Sequence, residues 1–208
     1  MSDRDTRDRI DIDVAAEEVV RLLDGVADDQ LTAATPCDGS SVATLLDHLM
    51  GLSLAFTWAA RKSPPPADGG SAPKPGQATA DHLDPAWRDL LPGRLADLAK
   101  AWREPSAWEG LTEVAGVRLP APQMAVVALD ELVLHGWDLA RSTGQPFTCT
   151  PANTAAVLEF THASAQPDGA AGRDGLFGPV VDVPADAPAF DRALGFAGRD
   201  PAWSTPAR

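Results

Sequence analysis

The stretch Asp130-Glu131-Leu132-Val133-Leu134-His135-Gly136-Trp137-Asp138, inside the run from 123 to 141, decides how the chain is read. At about 100° of rotation per residue, Glu131, His135 and Asp138 fall on one helical face, and Met124, Val127 and Ala128 continue the same stripe. A carboxylate and an imidazole therefore interrupt an apolar stripe. Burying such groups without partners costs several kcal/mol, so polar groups from elsewhere must stand opposite them.

Working outward, the 208 residues suit one domain with a sizeable core, and the hydrophobic fraction of 44% is that of a globular protein. Thirty Asp and Glu against 17 Lys and Arg leave a net charge of -13. A surface that negative repels phosphate backbones and anionic lipid, which argues against nucleic acid and membrane partners. The charged start, Asp3-Arg4-Asp5-Thr6-Arg7-Asp8-Arg9, has no apolar region behind it and does not read as a secretory signal. No uninterrupted apolar run approaches about 18 residues. The expectation is a cytoplasmic protein, monomer or homodimer, acting on small molecules. Cys37 and Cys149 are too few and too far apart for a disulfide framework or a cysteine-based zinc site, leaving histidine and carboxylate as the metal chemistry.

In chain order, residues 11–30 read as an amphipathic helix carrying Ile12, Val14, Val19, Leu22, Leu23 and Val26, ended by Gly25 or Asp28-Asp29. The turn Thr35-Pro36-Cys37-Asp38-Gly39-Ser40-Ser41 offers Ser40 and Ser41 as N-caps for a second helix over 42–60, with Val42, Leu45, Leu46, Leu49, Leu52 and Phe56 on its apolar face and His48 at the border of that face. Residues 63–78, rich in Pro and Gly, read as a mobile surface loop, a linker or a lid. A third helix fits 85–102, with a kink or break expected near Leu91 because Pro92 follows. His82, just before it, reads as solvated. Residues 107–119 suggest a small hairpin or loop, and Pro120 and Pro122 lead into the helix of the opening stretch, which Gly144 ends. Another helix runs from Thr150-Pro151 to about residue 165 and includes His162, read as structural or exposed. A short helix over 187–196 follows, and Phe177, Phe190, Phe196 and Trp203 would dock this tail on the body. No internal repeat and no second core is evident.

Glu131 and His135, spaced i and i+4, can bind one metal ion, and His48 from a neighbouring helix would complete a two-histidine, one-carboxylate set. Three protein ligands leave a coordination position open, as a catalytic zinc requires. The spacing alone equally fits an ordinary hydrogen-bonded Glu–His pair. Asp138 could orient an imidazole or a bound water; an i, i+3 pair with Arg141 is the alternative. Cys37 reads either as a thiol near a helix N-terminus or as a small buried side chain, and Trp137 as packing.

The residues also carry a resemblance. Thr35-Pro36-Cys37 followed by Val42-x-x-Leu45-Leu46-x-His48-Leu49, the run from Glu131 to Gln145, and the closing Phe177-Gly178-x-x-Val181 and Gly198-Arg199-Asp200-Pro201-Ala202-Trp203 together resemble the actinobacterial metal-binding branch of the DinB-like superfamily, related to mycothiol-dependent maleylpyruvate isomerase. The resemblance implies an all-α, four-helix bundle over 1–170 with a C-terminal extension, 171–208, packed on it. It also implies a divalent metal, zinc first, with nickel and iron as alternatives, and His48, Glu131 and His135 at the ligand positions. Mycothiol is the implied cosubstrate. Where the family carries a tryptophan just after the Thr-Pro-Cys turn, this chain has Ser40, and it shows no second domain like that of the maleylpyruvate isomerases.

The expected activity is that of a thiol transferase or isomerase, in which a thiolate attacks an electrophilic carbon of a small molecule. A metal-dependent hydrolase, with Asp138 as the nearest acid-base group, and a non-catalytic metal or small-ligand binding module are the competing readings.

Overall fold

Four apolar-faced runs form the helices of a bundle: α1 (Ile12–Leu23), α2 (Val42–Arg61), α3 (Trp87–Arg103) and α4 (Ala121–Thr143). The computed structural model describes residues 6–7, 9–37, 39–63, 78–169, 173 and 176–205; the loop expected over 63–78 lies almost wholly outside them.

Short polar side chains start three of the helices. Asp11 accepts a hydrogen bond from the Val14 amide at 3.0 Å and Thr150 one from Asn153 at 3.1 Å. At α2, Ser41 rather than Ser40 is the cap, accepting from the Thr44 amide at 3.2 Å. Gly144, at φ 73°, ends α4 in the left-handed conformation that a side chain disfavours. In α1 the buried face is Ile12, Ala15, Ala16, Val19, Leu22 and Leu23; Val14, counted on that face from its spacing, is exposed.

Of the kink or break expected near Leu91, the break does not occur, and α3 runs unbroken through Pro92. Pro92 removes the amide that would bond the Arg88 carbonyl, but Arg88 is exposed, so water can take that place. The 107–119 region is a hairpin, β1 (Leu111–Val114) antiparallel to β2 (Val117–Pro120), with Glu113 opposite Arg118. The buried Thr112 hydroxyl donates to the Ala59 carbonyl at 2.6 Å and ties the hairpin to the end of α2.

Around the bundle, α1 lies against α3 and α4, and α2 lies against the same two helices. The core runs between them through Leu22, Leu45, Leu46, Leu49, Leu91, Leu95, Leu98, Leu129 and Leu132, each contributing roughly 2 kcal/mol by burial. By length and composition α2 could cross a membrane, yet 72% of that window is packed inside the protein. It is a core helix, and it carries His48 on the side turned to α4.

Beyond the bundle, α5 (Pro151–Ser164) packs on α4, and α6 (Ala189–Phe196) packs on α5. Aromatic contacts hold the tail: Phe147 stacks on Phe190 with centroids 5.6 Å apart, and Phe160 meets Phe177 edge-on at 6.0 Å. Trp203 follows, half-buried against the core, and its carbonyl accepts from Arg141 Nε at 3.0 Å.

Candidate metal centre

The face of α4 picked out by the sequence turns toward α2. Successive turns of α4 bring Glu131, His135 and Asp138 onto one line, and α2 supplies His48 opposite them. Glu131 Oε2 lies 3.2 Å from His48 Nε2 and 3.0 Å from His135 Nε2. The two imidazole rings meet edge-on, 4.7 Å between centroids at 81°. One donor atom from each of the three residues lies within 4.8 Å of the others. Among the described residues no other group of three His, Cys, Asp or Glu side chains converges in this way. Side-chain exposure falls from 31% at His48 through 18% at Glu131 to 12% at His135, so the centre opens to solvent on the α2 side.

His135 stands between two carboxylates. Its Nδ1 lies 3.1 Å from Asp138 Oδ2, on the side away from Glu131. A carboxylate only accepts, so both ring nitrogens donate and the ring carries a positive charge. Burial works against that charge, but the hydrogen bonds to Asp138 and Glu131 and their charges outweigh it and lift the pKa of His135 to about 9. Burial likewise pushes the Glu131 carboxyl up, and the hydrogen bonds from His135 and His48 reverse this and hold it well below the carboxylate range. The space between the two Nε2 atoms and Glu131 is therefore built around positive charge. A divalent cation fits that donor set, with two neutral imidazoles and a carboxylate replacing the proton with a metal.

Asp138 is fully buried, at 0% exposure, and Arg199 from the tail is at 5%. Arg199 Nη2 donates to Asp138 Oδ2 at 3.0 Å and Nε reaches Oδ1 at 3.4 Å. Burial raises the Asp138 carboxyl, and the Arg199 charge and the His135 hydrogen bond bring it down again, below its ordinary value. The alternative pairing of Asp138 with Arg141 is absent, since Arg141 turns to the Trp203 carbonyl instead. Asp138 is thus committed on both oxygens and has no exposed edge from which to activate a water.

Two groups escaped the sequence reading. Arg199 stood in a quoted motif, but nothing in its spacing signalled a partner 61 residues away. Asp130, in the opening stretch itself, is 3% exposed with no hydrogen-bond partner on Oδ1. Burial, and then the neighbouring Glu131 charge, pushes its carboxyl well above the ordinary range. Its signal was an acidic residue among Ala128, Leu129 and Leu132 in a helix that is apolar on several sides.

The remaining histidines stay apart. His82 is exposed in a turn, and His162, also exposed, lies edge-on to Phe196 at 4.9 Å and beside Gln166 at 3.2 Å. Trp137 and Cys149 line a separate cavity of about 310 Å³ with Arg141, Phe147 and Phe190, away from the donor cluster. Burial pushes the Cys149 thiol up, so it stays protonated near neutral pH. Cys37 is half-buried rather than fully packed away.

A helical bundle with two histidines and a carboxylate converging between neighbouring helices defines a class of candidate metal proteins. Within that class the chain belongs to the mycothiol maleylpyruvate isomerase N-terminal domain family, whose sequence profile matches residues 12–140. Among solved structures it is similar to the crystal structure of the mycothiol-dependent maleylpyruvate isomerase, with a TM-score of 0.57, 17% identity, and 77% of this chain and 70% of that chain covered. The crystal structure of a histidine-to-alanine variant of that enzyme matches with the same TM-score and coverage at 18% identity. At such identity the likeness is one of fold. Comparison with curated proteins finds no match.

Proposed function

We propose that this chain is a metal-dependent enzyme that adds a low-molecular-weight thiol to an electrophilic carbon of a small molecule, with His48, Glu131 and His135 as its metal ligands. The observation that carries this reading is the convergence of both imidazole Nε2 atoms on one Glu131 oxygen, open to solvent at His48. Membership of a family named for mycothiol and maleylpyruvate isomerase supports a mycothiol-linked, isomerase-like role.

When bound, a divalent cation, with zinc the first expectation, supplies the local charge that holds a thiol sulfur deprotonated near neutral pH. The protein's own part is to arrange the ligands. His48 and His135 would present Nε2 lone pairs to the cation from two different helices, and Glu131 would contribute one carboxylate oxygen between them. With a cation in place of the Nε2 proton, Asp138 would go on accepting from His135 Nδ1–H and so keep the neutral ring's proton on Nδ1. Counting charges, Glu131 and Asp138 offset Arg199 and all but one positive charge of a dication, and an anionic thiolate balances the last. Reversible addition to an activated double bond gives cis–trans isomerisation, and irreversible addition gives a thiol conjugate.

The hydrolase alternative is weakened because Asp138, the acid-base group it would need, is fully buried and paired on both oxygens. The test begins with metal analysis. The purified protein is expected to carry about one divalent ion per chain, and His48→Ala and His135→Ala each to lose it. Full metal retention in either variant removes that residue from the ligand set. Incubation with mycothiol and an electrophile such as an activated alkene, followed by mass spectrometry, is expected to show a thiol adduct or an isomerised product in a metal-dependent way. Neither product across several thiols and electrophiles leaves a binding module in its place.

A further inference from the structure

We propose that Arg199 is a positioning residue for the metal centre, acting through Asp138 to fix the ring of His135; this rests on the reading of His48, Glu131 and His135 as ligands. Arg199 lies outside residues 12–140, the part of the chain that matches the family profile. The family segment thus holds the donor atoms, while the counter-charge that keeps one of them in place comes from the tail.

The contact geometry is that of a clamp. The guanidinium meets both Asp138 oxygens, Nη2 on Oδ2 at 3.0 Å and Nε near Oδ1 at 3.4 Å, while Nη1 donates to the Ala197 carbonyl at 2.9 Å. A two-point contact fixes the plane of the carboxylate, which one hydrogen bond would leave free to turn. With the plane fixed, Oδ2 points at His135 Nδ1, 3.1 Å away, which sets the ring rotation and would hold the proton on Nδ1 when Nε2 binds a metal. Without the guanidinium, Asp138 would be a fully buried carboxylate with only His135 as its partner and Oδ1 unpaired, a costly arrangement that is relieved when the carboxylate turns away or the tail opens.

The backbone delivers Arg199 to this place. The Arg199 amide closes α6 on the Leu194 carbonyl at 2.8 Å. Gly198 precedes it at φ 81°, and a Cβ there would stand 2.9 Å from the Gly178 backbone. The tail can thus pass Gly178 closely enough to turn the Arg199 side chain inward. Phe190 on Phe147 and the Trp203 carbonyl on Arg141 hold the segment on either side of that turn.

The test is a double-mutant cycle on zinc affinity in the full chain, read by competition with a chromophoric chelator near neutral pH, with cobalt(II) spectra as a second readout. Arg199→Gln is expected to weaken zinc binding by about 10- to 100-fold and to shift the cobalt spectrum, the range usual when support for a ligating histidine is lost. Asp138→Asn is expected to weaken it similarly. In the Asp138→Asn background, Arg199→Gln is expected to change affinity by less than about 2-fold, because its route to the metal is already cut. Arg199→Lys, which keeps the charge but not the two-point contact, is expected to recover part of the loss. Parental affinity and spectrum in a folded Arg199→Gln variant, or full losses that simply multiply in the double variant, would overturn the proposal. If circular dichroism shows Arg199→Gln unfolded, Arg199→Lys enters the same cycle under the same two criteria. An unsubstituted protein that binds neither zinc nor cobalt overturns the ligand assignment itself, which separates failure of that reading from failure of this one.

Discussion

His135 carries the sharpest residue-scale consequence, because it lies between Glu131 and Asp138 and its folded-state pKa of about 9 stands above the ordinary 6.5. A raised histidine pKa means that the charged ring stabilises the metal-free fold fully below about pH 6.5 and that this contribution is lost as pH rises through 9. The thermal midpoint of metal-free protein should therefore fall across that window, and Asp138→Asn should make the fall shallower. A midpoint that holds level from pH 6.5 to 9 would contradict the arrangement of charges described for the centre. Glu131, His135 and Asp138 were legible as a group because helical spacing alone puts them on one face. His48 was legible as a candidate through its place beside an apolar stripe and, more strongly, through a family resemblance. Arg199 was not, since a partner 61 residues away is set by tertiary packing that no local period encodes. Asp130 was passed over because its neighbours were read for one face only.

At the scale of elements, the four bundle helices and the hairpin could be read from apolar spacing, caps and glycines, and their ends shifted by a few residues. The helix of the opening stretch ends at Thr143 with Gly144 as its cap, as read, and it starts at Ala121 because Pro122 is tolerated in a first turn. Of the kink or break read at Pro92, the break does not occur, since that outcome depends on whether the orphaned Arg88 carbonyl faces water or protein, and the sequence does not say which. Pro92→Ala restores one backbone hydrogen bond in α3 and is expected to stabilise the protein on the order of 1 kcal/mol in urea denaturation. A loss of stability would show that the proline shapes the packing of α3. Gly144→Ala places a side chain at φ 73° and is expected to cost about 1 kcal/mol by the same measurement, with zinc affinity unchanged.

For the whole molecule, the bundle joins two helices into one centre, and the tail reaches back to it through Asp138. A ligand held only by the folded arrangement must stabilise the fold. Zinc at about 100 times its dissociation constant is expected to raise the unfolding free energy by about 2.7 kcal/mol, and His48→Ala to abolish that gain while the variant stays folded. Charge at this scale points the same way as the chemistry. A net charge of -13 disfavours polyanions across the surface, and at the centre Glu131 and Asp138 set carboxylate charge on either side of His135.

The central claim is an open metal position that takes a thiol sulfur, and the cobalt(II)-substituted protein tests it most directly. The account predicts about one cobalt per chain in the unsubstituted protein and, on adding mycothiol or another low-molecular-weight thiol, a new sulfur-to-cobalt charge-transfer band that His135→Ala lacks. A protein that binds no cobalt, or a cobalt spectrum that every thiol leaves unchanged, would contradict it.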